Sequence, residues 1–313
     1  MRKIGDALFM TLETDLLPLL RAIAPAPAAR GLADDAAVLD GLVLTHDMIV
    51  EGVHFLPDDP PADIAWKLVA VNLSDLAAKG ATPLGVLTGM GLRDDPAWNA
   101  AFVAGLGDAL AAMGGGVLLG GDTVAMPAGA PRTFGLTAIG SATGPVPDRR
   151  GGAAGDTLYL AGTIGDAGLG LAIASGREAG PDALVAAYRR PAPLLAEGQA
   201  LAPYVCAMMD VSDGLLIDAA RLAEASGCGV KINLDALPLS AAARLFGEDR
   251  AARLRAATAG DDYALLFAAR GPLPPLPFHC VEIGRLTVAP GLALVDAAGP
   301  VPIPDQLGWL HHG

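Results

Sequence analysis

Lysine is nearly absent: only Lys3, Lys67, Lys79 and Lys231 occur in 313 residues, against 34 aspartates and glutamates. With arginine counted the formal net charge is still −13, a field that repels polyanions and argues against nucleic-acid binding. If the chain handles phosphate, its positive charge must come from something other than lysine clusters, such as a metal ion. Cysteine is as sparse. Cys206, Cys228 and Cys280 lie far apart with no CxxC pair, which excludes a structural zinc site of the usual spacing and leaves them as buried free thiols. No uninterrupted apolar run reaches the roughly 18 residues of a membrane span. After Arg2 and Lys3, the acidic residues Asp6, Glu13 and Asp15 interrupt what a secretory signal would keep apolar, so a cytoplasmic protein is expected. Aromatics make up only 4%, yet 52% of the chain is hydrophobic and 40 residues are glycine, as in a compact, Ala-rich globular protein. At about 150 residues per domain, the length suggests two.

The segment 61–80, PADIAWKLVAVNLSDLAAKG, has helical spacing of its apolar residues, with Asp63 as N-cap and Gly80 as stop, and places Asn72 and Asp75 on one face. A second helix is expected over 96–113. Short apolar or β-branched runs at 42–49, 84–92, 117–119 and 133–139 read as strands. The Gly- and Pro-rich stretch 143–156 has no periodicity and marks a boundary, giving domains 1–145 and 146–313. Beyond it, strands are expected at 158–160, 207–211, 230–234, 263–269, 281–286 and 292–295, with helices near 166–175, 182–189, 194–204 and 215–226. The fold class is α/β or α+β.

No GxxxxGK[ST] loop and no protein-kinase catalytic set are present. What recurs is aspartate beside small residues at expected strand ends: Asp34 and Asp35, Asp47, Asp122, and Asp210 with Asp213, joined by Asp75 from its helix. Each alone reads as a turn former or helix cap, and in DVSDGLL either Ser212 or Asp213 would cap the helix starting at Leu215. As a set they converge on one edge of an α/β sheet, where carboxylates repel one another unless they share cations. Hard oxygen ligands without a Cys or His cluster point to Mg²⁺, and Mg²⁺ held this way points to a polyphosphate such as ATP. Gly120 and Gly121 ahead of Asp122 would let the backbone approach phosphate, and Arg149 or Arg150 would add positive charge. His54 lies in a loop suited to ligand contact. His279 falls in an expected strand and reads as structural, and His311 and His312 belong to the tail.

In order along the chain, GLADDAAVL, THDMIVEGVHFLPDDPPADIAWKLVAVNLSDLAAKGATP, LGGDT, AGTIGDAGLGLAI, RRPAPLLAEGQAL, DVSDGLLID and AGDDYALLF together resemble the thiamine-monophosphate kinase family. That family belongs to the superfamily of aminoimidazole ribonucleotide synthetase and selenophosphate synthetase. The resemblance implies a two-domain fold, with an N-terminal sheet domain that dimerises and a C-terminal α/β domain, and a cleft for ATP and substrate near their junction. Carried over by position, it implies Asp35, Thr45, His46, Asp47, Asp75, Asp122, Asp210 and Asp213 around several Mg²⁺ ions. Of these, Asp47, Asp75, Asp122 and Asp210 act catalytically through metal. Gly121, Asp122, Arg149 and Ser212 match nucleotide contacts, and His54, Asp261 and Trp309 match contacts to thiamine monophosphate. Three positions depart from the family pattern: Ala33 replaces a glycine, His46 a threonine and Asp261 a glutamate.

The implied reaction moves the γ-phosphoryl group of ATP onto the phosphate of thiamine monophosphate. An acceptor already ionised near pH 7 needs no general base, so a missing catalytic histidine fits, and metal ions would neutralise donor and acceptor. Two alternatives are a sibling synthetase and a catalytically silent nucleotide-binding protein. Selenophosphate chemistry wants a cysteine near the N-terminus, and the first here is Cys206.

Overall fold

The computed structural model describes residues 12–310; Arg2, Lys3 and Asp6, together with His311 and His312, lie outside the described residues. After helix α1 (Leu12–Ile23), the first half builds one five-stranded sheet from β1 (Ala37–Leu39), β2 (Leu42–Val50), β3 (Thr82–Leu92), β4 (Val117–Ala125) and β5 (Thr133–Ser141). Its order is β1-β2-β5-β3-β4, antiparallel except for the parallel pair β3 and β4. Helices α2 (Pro61–Ala78) and α3 (Pro96–Met113) cover one face. Period-two alternation along β2 turns Val43, Thr45 and Ile49 inward and leaves His46 and Met48 exposed.

The helix α2 is buried along most of its length, because the sheet, α3 and the second half of the chain all pack on it. Pro61 occupies its first turn, where a missing N–H costs nothing, and Pro60 precedes it as N-cap. Asp63 is therefore not the cap expected from the sequence; it lies in the first turn and pairs with Arg190. The stop is Gly80 as expected. Its φ is +61°, and a Cβ there would stand 2.5 Å from the Cβ of Ala202.

The second half forms a seven-stranded sheet from β6 (Thr157–Ala161), β7 (Ala207–Asp210), β8 (Gly229–Asn233), β9 (Leu265–Ala269), β10 (Cys280–Thr287), β11 (Gly291–Asp296) and β12 (Gly299–Val301). The order is β12-β11-β8-β10-β6-β9-β7. Helices α4 (Asp166–Ala174), α5 (Asp182–Arg189), α6 (Leu195–Leu201), α7 (Leu215–Ala225) and α8 (Arg250–Ala257) accompany it. Strands β7 and β9 are buried throughout. The class is mixed α/β, as the composition and patterning indicate.

Two α-helices and two strands escape the sequence pattern, α1, α8 and the three-residue β1 and β12, as do the short 3-10 turns such as Pro27–Leu32. Two boundaries differ in ways that shape the site. Strand β4 runs on to Ala125 because it pairs with β3 all along its length, so Asp122 sits inside a strand and not at its end. Strand β9 begins at Leu265, after Asp261 (φ +69°) and Tyr263 (φ +53°) have turned the backbone through left-handed conformations. Among the described residues no helix is long and apolar enough to cross a membrane.

Candidate active site

Three elements bring carboxylates together. Asp35 precedes β1, Asp75 lies near the end of α2, and Asp210 ends β7. One oxygen from each lies within 4.8 Å of the others. Asp75 faces β2, where the Thr45 hydroxyl donates to its Oδ2 and also to the carbonyl of Asp35 at 3.2 Å. One turn earlier, Asn72 accepts the backbone N–H of Asp47 at 2.8 Å, so the shared face of Asn72 and Asp75 is what registers the helix on β2.

The electrostatics of this cluster are unfavourable without cations. Burial, then repulsion from Asp47, Asp210 and Asp35, pushes Asp75 well above the usual carboxylate range. Burial and the charge of Asp35 lift Asp210 to about 8, and burial with Asp35 lifts Asp47 to about 6. Asp35 is the exception: burial opposes its charge, yet Lys79 and Arg149 outweigh burial and hold its carboxyl low. Carboxylates this close, drawn from three elements and short of positive partners, are a donor set that suits a hard divalent cation.

A cleft of about 2320 Å³ connects this cluster to a second group of polar residues. Arg149 lines it beside Asp35, and the carbonyls of Ser212 and Asp213 accept the N–H groups of Asp261 and Trp309 at 2.7 and 2.8 Å. His54 and Asp261 form the far end, beside Lys67, which lies two turns, about 12 Å, before Asp75 on α2. Arg149 donates from Nε to Asp35 Oδ1 at 2.8 Å. Asp213 pairs with Arg221. Neither Ser212 nor Asp213 caps α7; Asp218, inside the first turn, accepts the N–H groups of Ser212, Asp213 and Gly214 at 3.1, 3.1 and 3.2 Å. At the far end Lys67 is buried. It donates to Asp261 Oδ2 at 2.7 Å and to the carbonyl of His54 at 2.9 Å, and it lies 4.3 Å from the centre of the Tyr188 ring. The hydroxyl of Tyr263 donates to the other oxygen of Asp261 at 2.9 Å. His54 Nδ1 accepts from the N–H of Val50 at 3.0 Å, which fixes the ring's tautomer.

Three positions stand apart. His46 points to the opposite face of β2 from Thr45, and its Nδ1 lies 2.8 Å from the Thr137 hydroxyl, so its imidazole does not join the cluster. Asp122 and Gly121 lie on β4. The register runs from Asp47 through Leu136 and Thr88 to Gly121, three strand spacings or about 14 Å away. Gly121 has a local reason to be glycine, because a Cβ there would stand 2.1 Å from the Thr88 carbonyl oxygen.

Two family models match the chain: AIR synthase related protein, N-terminal domain, over residues 33–142, and its C-terminal domain, over residues 153–269. The thiamine-monophosphate kinase of Caulobacter vibrioides is 38% identical over 306 residues, covering 91% of this chain and 86% of the relative. That of Escherichia coli K12 is 37% identical over 303 residues, covering 90% and 91%. The chain belongs to the thiamine-monophosphate kinase family. Among solved structures, AaThiL complexed with AMPPCP and TMP superposes with a TM-score of 0.82 at 27% identity, covering 95% of this chain and 96% of that one.

Within the family fold, several residues that build this site carry no mark in the sequence. Lys67 and Lys79 are two of four lysines, but each sits in an otherwise apolar helical run and reads there as an ordinary surface residue. Asp218 reads as helix surface until its three backbone partners are seen. The available signal was charge inside a segment too apolar to have a solvent face. A lysine in such a segment must be paired.

Proposed function

We infer that the protein phosphorylates thiamine monophosphate with ATP, forming thiamine diphosphate and ADP. The observation that carries this reading is the cleft itself, which joins a cluster of under-compensated carboxylates, with Arg149 on Asp35, to a paired polar pocket at Asp261 and His54 that hangs on the Ser212 carbonyl. Relatives at 37–38% identity over about nine-tenths of the chain support it, as does the AMPPCP and TMP named in the structural neighbour.

An oxygen of the acceptor phosphate attacks the γ-phosphorus, the bond from that phosphorus to the β-phosphate oxygen breaks, and ADP leaves. The acceptor oxygen is already ionised, so the residues need move no proton. Mg²⁺, bound as several ions, supplies the neutralising charge that lets two anions approach. Asp35, Asp75 and Asp210 would hold it, with Asp47 beside them and Thr45 orienting Asp75; Asp213, paired with Arg221, would add a carboxylate from the α7 side. Ser212 and Arg149 face the nucleotide. His54, Asp261 and Trp309 receive thiamine monophosphate, and Lys67 holds the first two in place before substrate arrives.

The reading extends to two domains, 1–145 and 146–313, each carrying one sheet, and to a homodimer. Strand β4 is a sheet edge with Val117, Leu118, Leu119 and Val124 exposed, a surface suited to a second copy. Gly121 and Asp122 would then lie on the seam between copies. The three free cysteines, which the structure leaves half-buried and not buried as the sequence suggested, fit a cytoplasmic setting.

An end-point assay with ATP, Mg²⁺ and thiamine monophosphate, read by mass spectrometry, tests the activity. Thiamine diphosphate should form only from the monophosphate, not from free thiamine, and not in EDTA. ATP binding without product would overturn the reading in favour of a sibling synthetase or a silent binder.

A further inference from the structure

Lys79 follows the last residue of α2 and is completely buried. Its ammonium donates to Asp34 Oδ1 at 2.6 Å and to the carbonyl of Met208 at 3.1 Å, and lies 2.6 Å from Asp35 Oδ2. Two of its three protons are thus placed in hydrogen bonds, while Asp35 Oδ2, itself buried without a hydrogen-bond partner, faces the ammonium as an ion pair. Arg149 takes the other oxygen of Asp35, and Arg30 takes the other oxygen of Asp34. Each of these two aspartates therefore has a cation on both oxygens. Asp75 and Asp210, a few ångströms away, have a hydroxyl or like charges as neighbours.

We propose that Lys79 is a resident cation of the carboxylate site, a positioning residue that holds Asp35 in place and sets how strongly the site takes a divalent ion. A metal ion sharing Asp35 with Asp75 and Asp210 comes to rest beside an ammonium that cannot leave, because Lys79 is enclosed and anchored to the Met208 carbonyl. That carbonyl is two residues before Asp210 on β7, so the same side chain ties the end of α2 to the strand that brings the third carboxylate. Lys79 thus lets the carboxylates assemble before metal arrives, and it weakens their hold on the metal by like-charge repulsion. A site that must release a metal-bound diphosphate product after each turnover needs that moderation.

This rests on the reading of the cluster as a divalent-ion site. The test is Mn²⁺ binding to the full-length protein without nucleotide, followed by electron paramagnetic resonance, for wild type, Lys79→Met and Asp34→Asn. Removing the ammonium should tighten Mn²⁺ binding roughly tenfold or more. Asp34→Asn leaves Asp35 as the one carboxylate on Lys79, beside the Met208 carbonyl, and should weaken it. A purely structural role would weaken binding in both variants, so the opposite signs are diagnostic. Unchanged or weaker binding in a folded Lys79→Met protein overturns the proposal. If that variant does not fold, Lys79→Gln, which removes the charge but keeps a donor for the Met208 carbonyl, decides: tighter binding supports the role and equal or weaker binding overturns it. Failure of wild type to bind Mn²⁺ would remove the metal reading and this inference with it, whereas wild-type affinity in both variants removes only the role of Lys79.

Discussion

The two ends of the cleft are built on opposite electrostatic plans. At the far end each charge has a partner: Lys67 with Asp261, Tyr263 on the same carboxylate, and Arg189 with Asp59, which also accepts from Tyr188 at 2.8 Å. At the near end Asp47, Asp75 and Asp210 are crowded without enough positive charge, and only Asp35 is neutralised by the protein itself. The paired end is set before its ligand arrives. The unpaired end holds its carboxylates together against a repulsion that cations relieve. Preorganisation suits recognition of one organic substrate, and stored repulsion suits recruitment of metal.

The largest effect should come from the unpaired end. Asp75→Ala should cut kcat by about a thousandfold or more, since it removes a central ligand position, while circular dichroism shows the fold retained. Near-normal turnover would end the distinction between the two ends. Breaking the paired end should act on stability instead. Lys67→Met leaves Asp261 without its cation and should lower stability by about 3 kcal/mol, read by urea denaturation, because one member of a largely buried pair is stranded.

Asp210→Asn should do the reverse in metal-free protein. It relieves buried like-charge repulsion, so the melting temperature should rise while turnover is lost; a fall would show that the repulsion is not stored. The same groups set a pH dependence. Burial and neighbouring carboxylates raise Asp210 to about 8 and Asp47 to about 6, while both titrate near 4 when unfolded. Between those values the folded state holds more protons than the unfolded. The stability present below about pH 4 is therefore lost as pH rises towards about 8. Thermal melts in EDTA should show that decline, Mg²⁺ should flatten it, and Asp210→Asn should remove its upper part. The smallest effect belongs to His54→Ala, which should raise KM for thiamine monophosphate about tenfold with little change in kcat. A change confined to the KM for ATP would move His54 to the nucleotide end.

Much of the fold was legible because its signals are local. Helical spacing marked α2, α3 and α5 closely, and the apolar runs at 42–49 and 133–139 became β2 and β5. The short strands β1 and β12 had too few residues to show a period, and the continuation of β4 through Gly120 and Gly121 depended on pairing with β3. At the site, residue type betrayed the aspartates: carboxylates beside glycine and serine have no core role to play. The position of Asp122 was misjudged, because a strand end was inferred from glycines that β3 required for close approach.

By itself the sequence determined the chemistry available, namely abundant aspartate, scarce lysine, no nucleophile set, and motifs in the order of a known family. Which charges meet was decided only by the tertiary structure. Whether Lys79 neutralises Asp35, whether His46 faces toward the cluster or away, and whether Arg149 reaches Asp35 depend on strand register and on how α2 packs between two sheets. Those contacts join residues from tens to more than a hundred positions apart, and electrostatic energy falls with distance in space, which no local pattern records.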